Sequence, residues 1–180
     1  MSKVLYIGWF GLPETAAGIR VFQIAKLLRE LGNNVAFLCL SQPGLKENQE
    51  IQYDGFKYIR KRQFESRVKN VVNIFCGVYD LKVIKEIIEI EKPDTVIVYN
   101  DKERLTSQIV SFCHKRGISV GADVTEWYEI SRSRKWDRIV AKNVDYRIRK
   151  MDKKLDYIIS ISPYFTAYYK SIGCKNVIEI

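Results

Sequence analysis

Short apolar runs alternate along this sequence with longer segments of helical hydrophobic period, and this alternation limits the fold more than any other feature. The runs predict strands, and the periodic segments predict helices that lie between them. Strands separated by helices favour parallel pairing with right-handed crossovers. The sequence therefore predicts an α/β fold: a Rossmann-like, doubly wound and mainly parallel sheet in three α/β/α layers. The predicted strands are residues 4–7, 35–40, 56–59, 95–99, 118–122, 157–161 and 177–180; the predicted helices are 19–31, 81–90, 105–116, 131–155 and 163–172; residues 41–53 are predicted to form a loop.

Length and composition narrow the class of protein. With 180 residues, the chain is long enough for one domain with its own core. A hydrophobic content of 47% with 28% charged residues excludes global disorder. No apolar run reaches the ~18–20 residues that a membrane-spanning helix needs, and the N-terminus lacks the pattern of a signal peptide. We therefore expect a cytoplasmic protein.

The cysteines and the histidine argue against a metal site. The four cysteines include no CxxC pair, the usual spacing of zinc ligands, and they are too sparse for a disulfide scaffold. His114 is the single histidine, so no pair of histidines can bind a metal. The sequence therefore predicts no metal.

The loop after the first strand is the natural place for a ligand. In open α/β sheets, ligands bind beyond the carboxyl ends of the strands, where loop amides and helix N-termini hold phosphate groups. Gly11 and Gly18 in this loop would let the backbone approach a ligand closely. Their spacing is not GxGxxG, so no dinucleotide site is predicted, and a plain connection with glycine turns is an equally good interpretation.

Two polar segments follow later predicted strands and therefore fall at the same edge of the sheet. Residues 123–129 include Asp123 and Glu126, whose carboxylates are suited to binding sugar hydroxyls or acting as a base. The alternative is that these acids cap the next helix. Asn100 and Asp101 allow the same two interpretations, a ligand contact or a helix cap.

The predicted helix over residues 131–155 is strongly basic, with ten lysines and arginines against three aspartates in residues 132–154. An apolar stripe from Trp136 to Leu155 predicts that one face packs against the sheet. The basic face indicates either a solvated surface or contact with an anionic membrane, where each Lys or Arg contributes about 1 kcal/mol. Aromatic and basic residues do not interleave as in RNA-binding modules, so no nucleic acid partner is expected. The candidates for a membrane-facing surface are Arg132, Arg134, Lys135, Arg138 and Lys142.

Four segments, in order along the chain, carry a family resemblance. Residues 17–20 and 31–35 are similar to an opening motif GG-x-R and L-x-x-x-G-H-x-V, and residues 92–97 are similar to K-P-D-V-V. Residues 117–126 resemble G-I-P-V followed by D-V-H-E, and residues 155–162 resemble A-D-x-V-I-x-V-S. Together these motifs resemble the N-terminal half of a family-4 glycosyltransferase of the GT-B fold, over almost the whole chain.

The resemblance implies that residues 1–180 form one Rossmann-like domain, the N-terminal, acceptor-binding domain of a two-domain GT-B enzyme. It implies retaining transfer of a sugar from a nucleotide-sugar donor to a glycan or lipid-linked acceptor, without a metal or another cofactor. The donor would be shared with a C-terminal domain outside this sequence, so this chain alone is expected to be inactive. The basic helix resembles the membrane-docking surface of members that act on lipid-linked acceptors, which extends the expected localisation to the inner face of the plasma membrane.

The resemblance also implies roles for individual residues. The loop with Gly11 and Gly18 would approach the donor diphosphate, and Arg20 aligns with a common family arginine. Asp123 and Glu126 are the candidate catalytic residues, because the family often has a histidine where this sequence has threonine.

Acceptor contacts are expected from Asn100, Asp101 and Thr125, the last being the residue at the position of that histidine. Two other classes of function stay open. One is another GT-B relative, such as a nucleotide-sugar epimerase. The other is a non-enzymatic basic module that docks on an anionic membrane or on nucleic acid.

Overall fold

The computed structural model describes residues 1–12, 15–42, 44–66, 68–69, 72–73, 77–100, 102–128 and 135–180. The strands are β1 (Lys3–Gly8), β2 (Asn34–Gln42), β3 (Gln49–Tyr53), β4 (Phe56–Arg62), β5 (Thr95–Tyr99), β6 (Ser119–Val124), β7 (Tyr157–Ser160) and β8 (Val177–Glu179). The α-helices are α1 (Ala16–Glu30), α2 (Val78–Glu91), α3 (Glu103–His114), α4 (Lys135–Tyr146) and α5 (Pro163–Ser171).

The strands form one sheet in the order β3-β4-β2-β1-β5-β6-β7-β8. Every neighbouring pair is parallel except β3 and β4, which are antiparallel. The predicted α/β class with a mainly parallel sheet is therefore confirmed. The chain runs outward from β1 in one direction and then returns to β5 to build the other half, so the strand order reverses between β1 and β5.

Helices cover both faces of this sheet because successive residues of each central strand point to opposite sides. In β1, Leu5 and Ile7 pack in a core with α2 and α3, while Tyr6 packs in a second core with α1. The second core is rich in aromatic rings, and the Tyr6 and Phe10 centroids lie 6.0 Å apart in an edge-to-face arrangement. These two layers of apolar side chains fix the strand ends that carry the polar residues described below.

The prediction of a loop over residues 41–53 is wrong at both ends, because β2 continues to Gln42 and β3 occupies Gln49–Tyr53. The side chains of β3 are half-buried or exposed, so this strand has no apolar alternation to reveal it. It is held by backbone pairing with β4 across a turn at Asp54 and Gly55, which have φ of 48° and 78°. An Asp-Gly pair with both φ values positive is a preferred two-residue hairpin turn, so the sequence did carry a signal for β3.

The single long helix predicted over residues 131–155 is also wrong. Residues 131–134 lie outside the described chain, α4 ends at Tyr146, and a π-helix (Arg147–Met151) and a short 3₁₀ turn (Asp152–Lys154) follow. In the predicted stripe Ile148 and Met151 are buried, but Val140 is 49% exposed and Ala141 is buried instead. The wider π turn lets Arg147 and Ile148 both turn inward, where the guanidinium lies 3.7 Å from the buried carboxylate of Asp152.

Candidate functional site

The candidate site lies at the carboxyl edge of the sheet, the name used here for the loops that follow β1, β5, β6 and β7. These four strands are adjacent and parallel, so their loops open on the same side. The strand order reverses between β1 and β5, the position at which open α/β sheets bind ligands. The backbone of Gly8 approaches the side chain of Tyr99 closely there, since a Cβ placed on Gly8 would lie 2.7 Å from the Cβ of Tyr99.

The loop after β1 folds back onto the first turn of α1. The Thr15 hydroxyl accepts a hydrogen bond from the Gly18 amide at 2.9 Å, and the Gly11 carbonyl accepts one from the Thr15 amide at 3.2 Å. A Cβ on Gly18 would lie 2.1 Å from the Gly11 carbonyl oxygen. The structure therefore brings Gly11 and Gly18 into direct contact, and this contact by itself accounts for a glycine at position 18.

Arg20, Asp123 and Tyr6 form a buried network between α1, β6 and β1. The Asp123 Oδ1 accepts hydrogen bonds from Arg20 Nη2 at 2.9 Å and Nε at 3.1 Å, and its Oδ2 accepts one from the Tyr6 hydroxyl at 2.6 Å. The Asp123 side chain is fully buried and that of Arg20 is 16% exposed. Burial raises the pKa of Asp123, against the opposing effect of the hydrogen bonds from Arg20 and Tyr6.

This network bears on both interpretations of Asp123. The residue lies inside β6, so the alternative that it caps the following helix is wrong. Both of its oxygens are occupied by side chains of the protein, so it orients Arg20 rather than facing open space. Arg20 in turn donates from Nη1 to the carbonyl of Ile180 at 3.2 Å, which ties the start of α1 to the end of β8.

Asn100 and Thr125 join the loops that follow β5 and β6. The Asn100 amide group donates from Nδ2 to the Thr125 hydroxyl, and its Oδ1 accepts from the Thr125 backbone amide at 3.1 Å. The Tyr99 hydroxyl lies 3.3 Å from the same Thr125 oxygen. Asn100 has φ of 41°, in the left-handed region that asparagine tolerates better than most residues. The structure thus brings two predicted acceptor residues together across neighbouring strands.

A cavity of about 500 Å³ opens beside these residues. Its polar lining comes from Arg20, Gln23, Thr125 and Glu126. The remaining lining residues are Tyr99, Ile161, Ile180 and apolar residues of α1. Glu126 is exposed and accepts a hydrogen bond from the Tyr128 hydroxyl. Burial, followed by this bond, raises the pKa of Tyr128 to about 12. A guanidinium and an exposed carboxylate in the lining of one cavity suit a ligand with hydroxyl and anionic groups.

The remaining predicted site residues lie apart from this cavity. Arg138 and Lys142 are exposed on α4, beside the half-exposed side chains of Ile139 and Val140. The helix α4 meets the start of α3, where the Asn143 Oδ1 accepts a hydrogen bond from the Glu103 amide at 3.0 Å. Outside the described part of the chain are Asp101, Arg132, Arg134 and the side chain of Lys135.

Within the described ranges, no three His, Cys, Asp or Glu side chains come together as a group that could hold a metal ion. No helix in the described ranges is long and apolar enough to cross a membrane.

Sequence reasoning missed two tyrosines of the site. Tyr6 reads as one more core residue of an apolar strand, and its partner Asp123 is 117 positions away, so nothing local indicates their bond. Tyr128 follows Glu126 by two positions, and an exposed aromatic next to a candidate carboxylate was the signal that could have found it.

No protein-family model matches the chain, and no curated protein matches it. Solved structures match it in fold. Sucrose-phosphate synthase from Thermosynechococcus elongatus matches 100% of this chain with 13% identity and a TM-score of 0.70. UDP-N-acetylglucosamine 2-epimerase from Rickettsia bellii matches 99% of it with 14% identity and a TM-score of 0.55. A trehalose-6-phosphate structure from E. coli, bound with UDP-2-fluoro glucose, matches 95% of it with 7% identity and a TM-score of 0.55.

These matches cover 48%, 44% and 42% of the three solved chains, so this chain spans just under half of each. At such low identities the likeness shows the fold alone. The chain has a Rossmann-like α/β fold, and its structural neighbours are enzymes of the GT-B fold, mostly glycosyltransferases.

Proposed function

We propose that this chain is the N-terminal, acceptor-binding domain of a family-4-like retaining glycosyltransferase, which transfers a sugar from a nucleotide-sugar donor to a glycan or lipid-linked acceptor. The observation that carries the proposal is the cavity at the carboxyl edge, which is lined by both Arg20 and the exposed Glu126. The GT-B neighbours support it, since this chain spans about half their length. The proposal includes a C-terminal domain that binds most of the donor.

The proposed roles follow from the contacts of each side chain. Glu126 is exposed and lines the cavity, so it is the residue proposed to accept a hydrogen bond from an acceptor hydroxyl. Arg20 presents a cation to the donor diphosphate, where charge develops on the leaving group, and the loop with Gly11 and Gly18 approaches the same group. Asp123 is a positioning residue, because its two oxygens hold Arg20 and Tyr6. This chemistry requires no metal and no further cofactor.

The test compares Glu126→Gln with wild type in the protein that joins this chain to its proposed donor-binding domain. We expect a lower kcat for transfer to the acceptor with an unchanged melting curve, because Glu126 is exposed and its loss leaves the core intact. Glu86→Gln, an exposed glutamate on α2, is the matched control. Unchanged kinetics in Glu126→Gln would remove Glu126 from the site. Transfer by the 180-residue chain alone would contradict the two-domain proposal.

A GT-B epimerase is the alternative within the enzymes, because a UDP-N-acetylglucosamine 2-epimerase is among the structures with this fold. The same assay separates the two reactions. Incubation with a nucleotide sugar alone yields an epimeric nucleotide sugar if the protein is an epimerase. A glycosyltransferase instead releases the nucleotide diphosphate in proportion to the glycosylated acceptor.

Contact with an anionic membrane surface is a second proposal, carried by the outer face of α4. Ile139 and Val140 are half-exposed there, with Arg138 and Lys142 exposed around them, the combination that binds the headgroup region of anionic bilayers. We expect the chain to co-sediment with vesicles containing phosphatidylglycerol and to dissociate as salt rises. The double variant Arg138→Gln/Lys142→Gln should bind more weakly, and Lys82→Gln on α2 should not. Equal binding to neutral and anionic vesicles would contradict the proposal, and with it a peripheral location on the inner face of the plasma membrane.

A further inference from the structure

Aromatic side chains stand on both sides of the polar centre of the carboxyl edge. Trp9 directly follows β1, and Trp127, Tyr128 and Tyr164 follow β6 and β7. In the order of the strands, Asn100 after β5 and Glu126 after β6 lie between Trp9 and Tyr164. Trp9 is 42% exposed and Tyr164 is 68% exposed, so the cavity already described accounts for neither ring.

The position of Trp9 is fixed by its neighbours on the chain and in space. Gly8 lies against Tyr99, and Phe10 is buried in contact with the rings of Tyr6 and Tyr99. The Lys102 ammonium lies 3.6 Å from the centre of the Trp9 ring, a cation–π contact with the loop after β5. An exposed indole held in this way needs little further ordering to bind a ligand.

The second aromatic surface is equally well fixed. The Trp127 Nε1 donates to Asp145 Oδ1 at 2.9 Å, and the Arg149 guanidinium lies 4.9 Å from the Trp127 ring. The rings of Tyr164 and Tyr168 lie 6.2 Å and 4.7 Å from that of Trp127, so the indole is braced on several sides. Tyr164 remains the most exposed ring of the group and faces the surface at the start of α5.

The distance between the two aromatic surfaces indicates the size of the ligand. Trp9 follows β1 and Tyr164 follows β7, three strands away in the sheet. Neighbouring strands lie about 4.8 Å apart, so the ends of β1 and β7, which lead to Trp9 and Tyr164, are separated by roughly 14 Å. A single sugar ring cannot span that distance, and a short oligosaccharide can. Pyranose rings present C–H faces that stack on aromatic rings and hydroxyl edges that bond to polar groups, which matches aromatic ends around a polar centre.

We propose that the acceptor is an oligosaccharide lying across the carboxyl edge, with one sugar ring stacked on Trp9, another on the surface of Trp127 and Tyr164, and the intervening sugar at Asn100 and Glu126. This inference rests on the function proposed above and adds the class and length of the acceptor. A hydrocarbon chain would offer no hydroxyl groups to the exposed Glu126 carboxylate, and a single sugar phosphate would leave one aromatic surface uncovered.

The experiment is calorimetric titration of the 180-residue chain with sugars of matched composition: glucose and maltotriose, N-acetylglucosamine and chitotriose, mannose and mannotriose. In at least one series we expect the trisaccharide to bind at least about tenfold more tightly than the monosaccharide. Trp9→Ala and Tyr164→Ala should each reduce that ratio several-fold, while Trp9→Tyr should retain most of it. Tyr146→Ala, an exposed tyrosine on α4, is the matched control and should leave the ratio unchanged.

The proposal is overturned if no series shows a preference for the trisaccharide, or if Trp9→Ala and Tyr164→Ala change binding no more than Tyr146→Ala. Melting curves of the variants distinguish lost contacts from lost folding, and Trp9→Tyr provides a second variant with the ring preserved. Failure here is separable from failure of the proposed function. A transferase with equal kcat/KM for monosaccharide and trisaccharide acceptors would retain the proposed function and lose this inference.

Discussion

The two ends of the parallel strands use their polar side chains differently. At the amino edge, Asp94 accepts hydrogen bonds from the Lys3 amide at 2.7 Å and the Ser2 hydroxyl, and Asp156 accepts one from the Val120 amide at 2.7 Å. These carboxylates cap backbone groups of neighbouring strands and remain partly or fully exposed. Hydrogen bonds within the fold therefore account for both carboxylates.

At the carboxyl edge, side chains bond chiefly to one another. Tyr6, Asp123 and Arg20 form one buried network, and Asn100 and Thr125 form another. Such networks hold each member in one orientation, at the cost of desolvating charged groups that the amino edge leaves in water. The carboxyl edge therefore presents residues, with Arg20 and Glu126 lining the cavity, whereas the polar groups of the amino edge hold neighbouring strands together.

Loss of a buried charge should have the largest effect. Asp123→Asn leaves the Arg20 guanidinium without its counter-charge, and we expect a loss of about 3 kcal/mol in the free energy of unfolding. Asp94→Asn at the amino edge is the matched change, and we expect it to cost far less because that carboxylate is exposed. Urea denaturation of both variants measures the difference. Equal losses would show that the two edges do not differ as described.

The second-largest loss of stability is expected from crowding the loop after β1. Gly18→Ala places a methyl group against the Gly11 carbonyl, so the loop must move, and we expect a destabilisation of about 2 kcal/mol. Ile19→Ala, which alters an exposed neighbour on the same helix, is the control. Thermal unfolding of both variants tests this. A Gly18→Ala variant as stable as the control would mean that the loop does not pack on α1.

The backbone at Asn100 provides a finer test. Asn100→Ala loses both hydrogen bonds to Thr125 and retains a left-handed φ. We therefore expect the free energy of unfolding to fall by about 1–2 kcal/mol. Asn100→Gly loses the same bonds but tolerates the φ of 41°, and should cost less. Chemical denaturation of the pair separates strain from bonding. If Asn100→Gly is the less stable of the two, the left-handed conformation is not the reason for asparagine at this position.

The smallest effect is expected from the pH dependence at the amino edge. Burial alone would raise the pKa of Asp156, but hydrogen bonds from the Val120 amide and from His114 lower it overall. A lowered pKa in the folded state stabilises the protein above the unfolded pKa, and this contribution is lost as pH falls through the folded value. Asp156→Asn should therefore flatten the loss of melting temperature on acidification from about pH 6 to pH 2. Glu86→Gln should keep the wild-type slope, and an unaltered slope in Asp156→Asn would contradict the assignment.

Most of the fold could be predicted from the sequence. The spacing of apolar residues and the glycines that end helices are signals that lie within short stretches of the chain. β5 was predicted at its observed bounds, and β1, β6 and β7 within two residues at each end. The failures have physical causes. β3 is held by backbone pairing at an exposed edge, and the π turn at Arg147 is set by burial beside Asp152, which lies five residues further along the chain.

For the site, the sequence predicted the location but not the orientation of its side chains. The rule that ligands bind at the carboxyl ends of parallel strands located Asn100, Asp123, Thr125 and Glu126, and the structure places these residues together. The direction of each carboxylate could not be predicted, because it depends on partners far away in sequence. Asp123 turns inward to Tyr6 and Arg20, and Glu126, three residues later, remains at the surface.

Sugar binding at the carboxyl edge can be located by an amide NMR titration of the ¹⁵N-labelled chain with the trisaccharide that binds best. We expect chemical-shift changes concentrated at the carboxyl edge, at Trp9, Asn100, Thr125 and Glu126, with the amino edge around Asp94 and Asp156 unchanged. Shifts centred on Asp94 and Asp156, or none at the carboxyl edge at saturating sugar, would contradict it.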